Sequence, residues 1–143
     1  MCFKTIILFV AFSWISRAQN SNEPQLGASN TFYAEWAIAN ISANYEHMLI
    51  PWLSARTGIG TGVWPTTQRL LAMVTYHTPL ADQKLEAGLG ATLLVSGNSP
   101  VWHPSVTIGY RYQRASGGFF FRAGANWTFW YGYPVQVSAG YTF

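Results

Sequence analysis

The chain has 143 residues, of which only 9% are charged and 17% aromatic, with a formal net charge of +3. Soluble domains carry roughly 25% charged residues, so this composition argues against an ordinary soluble fold. The lack of any basic cluster excludes phosphate-backbone recognition, hence no nucleic-acid partner, and a single cysteine, Cys2, excludes a disulfide framework.

At the start, Lys4 precedes the apolar run Thr5–Ile15, and Ser16-Arg17-Ala18 follows it. A positive start, a short apolar middle and small residues before the cut predict a secretory signal peptide, residues 1–18, removed after Ala18. The run is too short to span a membrane as a helix. Cys2 lies ahead of it rather than at the cleavage point, against a lipid anchor. Cleavage takes Lys4, Arg17 and Cys2 away, so six of the eight basic groups remain against five acidic ones, a net charge of +1 without cysteine. The remaining segment, 19–143, is short enough for one domain.

Asn20–Ser29 is a polar lead-in. Eight strand-like segments follow: Thr31–Ala39, Ile41–His47, Trp52–Gly62, Arg69–His77, Lys84–Ser96, Ser105–Gln113, Phe119–Trp130 and Val135–Phe143. Turn chemistry separates them at Asn40, Pro51, Gly62–Pro65, Pro79–Asp82, Gly97–Pro104, Ser116–Gly118 and Tyr131–Pro134. No apolar run after residue 18 is long enough for a membrane helix. Many aromatics, few charges and short alternating segments predict an all-β fold: a closed eight-stranded antiparallel up-and-down transmembrane β-barrel. Such a barrel pairs every backbone polar group internally. Eight strands enclose a narrow interior filled by side chains rather than an open pore.

Alternation sorts the side chains. Leu85, Ala87, Leu89, Ala91, Leu93 and Val95 oppose Glu86, Gly88, Gly90 and Thr92; Val106, Ile108, Tyr110 and Tyr112 oppose Thr107, Gly109, Arg111 and Gln113. The same split recurs elsewhere, except in Arg69–His77, where Leu71 and Met73 fall on the inner side. With the apolar faces outward, six charges point inward: Glu35, Glu46 and Glu86 with Arg56, Arg111 and Arg122. Three negatives against three positives is the balance that a packed interior requires. Glu86, Arg111 and Arg122 are expected to cluster near the end that holds the chain termini, with Glu46 and Arg56 reaching in from the other side. A structural plug is the plainer reading of this network, a gate or proton path the sharper one.

In the last segment, Val135, Val137, Ala139, Tyr141 and Phe143 alternate with Gln136, Ser138, Gly140 and Thr142. Ser138-Ala139-Gly140-Tyr141-Thr142-Phe143 resembles the closing-strand signal of outer-membrane barrels, carried here by Ser138, Gly140, Tyr141 and Phe143. From Thr31 to Phe143 the chain resembles the small eight-stranded outer-membrane barrels of Gram-negative bacteria, the OmpA and OmpX type. That resemblance rests on strand count, parity and the terminal signal, while Asn44-Tyr45-Glu46, Lys84-Leu85-Glu86-Ala87-Gly88-Leu89-Gly90, Ile108-Gly109-Tyr110-Arg111-Tyr112 and Gly117-Gly118-Phe119-Phe120-Phe121-Arg122-Ala123-Gly124 look like segments of small exported barrel proteins. It implies an outer-membrane location with membrane lipid as surroundings, and reading of the last strand by the barrel-assembly machinery. It implies no reaction. With both termini in the periplasm, the outward loops would be Ala39–Asn40, Gly62–Gln68, Gly97–Pro104 and Tyr131–Pro134, too short for a large adhesive surface.

His103-Pro104-Ser105 invites an enzyme reading, because similar barrels that deacylate lipid A carry a His-x-Ser pair activated by a Glu. A serine nucleophile needs an oriented base, and no acidic residue follows Glu86; His103 and Ser105 are expected at a loop-to-strand junction. His47, His77 and His103 fall at different ends, so neither metal nor cofactor is expected, and His47 and His77 are assigned to turns. The tryptophans and tyrosines near strand ends fit interfacial girdles. Asn126, Thr128, Gln136 and Ser138, with Gly58, Gly60 and Gly90, could line a vestibule, unless the glycines merely relieve crowding. The reading is a non-enzymatic envelope barrel with a salt-bridged interior, a monomer being the simplest state. The alternatives are a lipid-modifying enzyme using His103 and Ser105, or a lipocalin-like binder of a small apolar ligand, which would reverse the facing.

Overall fold

Alternating β-branched and aromatic residues give this chain strands that are apolar on one side and polar on the other. The computed structural model describes residues 29–38, 40–62, 67–78, 82–96, 99–114, 116–128 and 131–143, side chains at 131–134 excepted. The expected signal peptide, most of the lead-in, Trp64 and Trp130 lie outside the described residues. Eight strands run in order: β1 (Asn30–Ala37), β2 (Asn40–Ile50), β3 (Leu53–Gly62), β4 (Gln68–His77), β5 (Gln83–Ser96), β6 (Ser99–Gln113), β7 (Gly118–Thr128) and β8 (Tyr131–Thr142). Each pairs antiparallel with the next, and β8 closes onto β1 through Thr31↔Thr142, Tyr33↔Gly140 and Glu35↔Ser138. The expected closed eight-stranded antiparallel barrel is the fold observed.

Three boundaries differ from expectation. β6 starts at Ser99, so His103 and Pro104 lie within the strand, opposite Thr92 and Ala91, rather than in a loop. Proline removes a ladder donor only where its N–H would face a partner, so Pro100 and Pro104 punctuate the sequence without ending the strand. β2 runs on to Ile50, its register to β3 shifting between Met48 and Ile50. β8 starts at Tyr131, where a turn was expected. Between β6 and β7 the backbone reverses through Gly117 (φ 85°) and Gly118 (φ 107°), a region L side chains rarely occupy.

The wall is apolar. Phe32, Trp36, Ile59, Val74, Leu85, Ile108, Phe119, Val137 and Tyr141 are exposed on it, and Leu89 is 67% exposed. The interior is the reverse, for the fully buried residues are mostly polar or charged, with Arg111 and Arg122 at 0% exposure. Leu71 and Met73 do point inward from β4, as their parity indicated.

Candidate functional site

The lumen is the candidate site, and the pleat builds it. Because alternate residues of a strand share a face, every strand sends a side chain into one network: Glu35 from β1, Glu46 from β2, Ser54 and Arg56 from β3, His77 from β4, Glu86 from β5, Arg111 from β6, Arg122 from β7 and Ser138 from β8. Glu35 accepts from Arg56 Nη2 at 2.5 Å and from Arg122 Nη2, and Ser138 Oγ lies 3.4 Å away. Gln136 completes this knot when its amide is oriented to donate to Glu35 Oε1 (3.2 Å) and accept from Arg122 Nη2 (2.7 Å).

A second knot forms on Glu46. Its Oε1 accepts from Arg111 Nη1 and from Ser54 Oγ, each at 2.5 Å. Since the Ser54 hydroxyl donates to Glu46, it accepts from His77 Nε2 at 2.8 Å, which places a proton on that ring nitrogen. Glu86 links the two knots, with Arg122 Nε at 3.2 Å, Arg111 Nη1 at 3.8 Å and His77 Nδ1 at 4.0 Å. None of these three contacts is aligned as a hydrogen bond, so Glu86 is held by Coulomb attraction within a low-dielectric interior. Aromatic rings fill the space between: Arg111 Cζ lies 4.7 Å from the Phe120 centroid, Arg56 and Arg122 lie 5.5 and 5.4 Å from that of Tyr33, and the two rings are 4.8 Å apart.

The pairing adds a detail to the expected clustering and departs from expectation in one respect. Glu46 and Arg56 face one another in register, yet each finds its partner elsewhere, Glu46 in Arg111 and Arg56 in Glu35. Long side chains reach across a narrow lumen more readily than they bend back along the wall. Among the described residues the lumen also goes beyond the expected three against three, for Arg69 is a fourth buried guanidinium and His77 is buried at the opposite end of β4. His77 is therefore a lumen residue rather than a turn residue. Arg69 and His77 share the parity of Leu71 and Met73, which is the signal that would have found them. His47, at the far end of β2, bonds through Nδ1 to Asn30 Oδ1 (2.9 Å), which also accepts from Tyr45 Oη (2.7 Å).

Away from this network the lumen is lined by hydroxyls and amides. Ser105 Oγ lies 2.7 Å from Thr92 Oγ1 and 3.2 Å from Thr128 Oγ1, completely buried in mid-sheet. The glycines offered for a vestibule, Gly58, Gly60 and Gly90, have atoms of the neighbouring strands packed against them. A Cβ on Gly58 would meet Asn44 Oδ1 at 2.0 Å, one on Gly60 Ser42 Cβ at 2.6 Å, and one on Gly90 the Ala72 carbonyl at 2.1 Å, so these glycines relieve crowding. Of the proposed closing-strand residues, Ser138 faces the lumen, Tyr141 and Phe143 are exposed on the wall, and Gly140 sits under Tyr33. No group of three metal-ligating side chains occurs among the described residues.

A closed barrel with charges within and an apolar wall defines the class of this protein by fold. Solved structures share that fold, among them two barrels. One is the N-terminal β-barrel domain of Pseudomonas aeruginosa OprF, with a TM-score of 0.63 and 13% identity, covering 83% of this chain and 98% of that one. The other comes from the de novo design of transmembrane β-barrels, with a TM-score of 0.64 and 12% identity, covering 83% and 97%. No family model matches the chain, and no curated protein matches it.

Proposed function

We propose that this protein is a small integral barrel of the bacterial outer membrane, exported by loss of residues 1–18, with a structural role in the envelope, no catalysis and no conducting pore. The observation that carries this reading is the lumen network, to which all eight strands contribute and which leaves charged side chains where a channel would need water. The apolar wall supports membrane residence, since a soluble barrel would place these two sets of side chains the other way round. Trp36, Trp102 and Trp127 lie toward one end of their strands, and Trp52, Tyr76 and Phe143 lie at the other, the spacing of two interfacial belts. The barrel domain of OprF and the designed transmembrane barrel add support through their shared fold.

Two measurements test this. Leu89→Arg places a guanidinium on the exposed wall; in lipid it is expected to cost about 2–4 kcal/mol near the bilayer midplane, read as a lowered urea midpoint in liposomes. A soluble barrel would tolerate it, and an unchanged midpoint rejects membrane residence. In planar bilayers the wild type is expected to give no steady conductance, and stable single-channel steps reject the plugged reading.

Against catalysis stands the Ser105 hydroxyl, engaged by two threonines in the closed sheet. Ser105→Ala and His103→Ala are expected to leave the lipid A acylation pattern unchanged by mass spectrometry. A difference confined to wild type would establish the enzyme instead.

A further inference from the structure

We infer that Pro100 and Pro104 close the longest sheet edge left open among the described strands to strand addition by a second copy of this chain. The β5–β6 hairpin outruns its neighbours. β6 pairs with β5 from Gln83↔Tyr112 to Ser96↔Ser99, but with β7 only as far as Ser105↔Thr128. Thr128 in turn pairs with Tyr131, so β7 goes no further along β6. Among the described strands none lies beside residues 99–104 on that side.

The phase of the ladder decides which groups this edge presents. Successive residues of an antiparallel strand turn their backbone N–H and C=O to opposite sides. Gln113 N donates to the Asp82 carbonyl at 2.9 Å, continuing the β5–β6 register by one residue. Odd-numbered residues of β6 therefore bond to β5, and Pro100, Trp102 and Pro104 turn their backbone to the open side, all three exposed. Proline has no N–H, so the Trp102 amide is the one donor these three positions offer. An open edge is a template for another chain, and proline on it blunts the template. The spacing names the chain that is refused. When two such edges run antiparallel about Trp102, Pro100 of one copy falls opposite Pro104 of the other. Both flanking pairs then lose both of their bonds, and only the Trp102 pair can form. Because β7 stops at Ser105, the second strand has room, and the two barrels would meet tip to tip. This inference rests on the backbone ladder alone and stands apart from the membrane reading.

The test uses the whole protein folded in detergent, with folding checked by migration on unheated gels. Wild type is expected to be monomeric by light scattering, its Trp102 amide exchanging freely with deuterium. Pro100→Thr/Pro104→Thr returns the missing donors and is expected to self-associate about a hundredfold more tightly, with the Trp102 amide now protected. Each single variant returns one donor to each flanking pair and should associate in the same way but more weakly, which keeps the test open should the double variant not fold. Val101→Thr, whose amide faces β5, should stay monomeric. Adding Trp102→Pro to the double variant should return it to monomer. Folded proline variants that stay monomeric overturn the proposal, as does a wild type already paired with its Trp102 amide protected. Association that survives Trp102→Pro, or that Val101→Thr shows equally, runs through another surface and overturns it too.

Discussion

Replacing Glu35 with alanine is expected to lower the stability of the folded barrel by about 3–5 kcal/mol, the largest loss for any single charge in the lumen. The cause is not the lost attraction alone. Arg56 and Arg122 both bond to this carboxylate, and its removal leaves two guanidiniums buried against the Tyr33 ring. Water cannot reach them as it would on a surface. Urea titration of the protein in liposomes measures the effect, and Arg114→Ala, exposed just past the end of β6, should change stability by less than about 0.5 kcal/mol. A loss at Glu35 no greater than at Arg114 would mean that the lumen is hydrated enough to screen its own charges.

The second large effect is expected at Gly140, and it is steric. A Cβ there would lie 2.1 Å from the Phe32 carbonyl and 2.4 Å from Tyr33 Cβ, both on β1. Since Tyr33 and Gly140 are paired across the β1–β8 seam, Gly140→Val prevents the two strands from meeting. Refolded into detergent from urea, this variant is expected to lack the compact, fast-migrating form on unheated gels. Tyr141→Ala and Phe143→Ala alter exposed wall residues, and should refold in detergent like wild type while accumulating less in the envelope of living cells. That split separates packing at the seam from reading of the last strand by assembly machinery. Normal refolding of Gly140→Val would refute the packing account, and normal cellular accumulation of Phe143→Ala would refute the signal.

Much of the fold was legible because a pleated strand converts sequence parity directly into facing. Glu86 and Arg111 directly follow Leu85 and Tyr110, and that single step along the chain decides lumen or wall. What parity does not encode is who meets whom across the lumen. Glu46 and Arg56 are neighbours in register, but the ion pairs form between β2 and β6, and between β1 and both β3 and β7, distances set by closure and side-chain reach. Arg69 and His77 were hidden by Leu71 and Met73, two apolar residues on the same inward face that blurred the alternation of β4. Pro104 misled for a different reason: it marks a turn by habit, yet it occupies a strand position at Ala91.

The Glu35 knot also bears on the order of events during folding. Glu35 stands on the first strand to be synthesised, Arg122 on the seventh and Ser138 on the last. In a sheet whose ends have not yet joined, these groups face one another across an open gap, and bilayer insertion at that point would drag bare charges through hydrocarbon. The same residues that reward the finished ring therefore penalise every half-built one. On the membrane reading proposed above, entry into lipid before the circle closes is the step these charges disfavour.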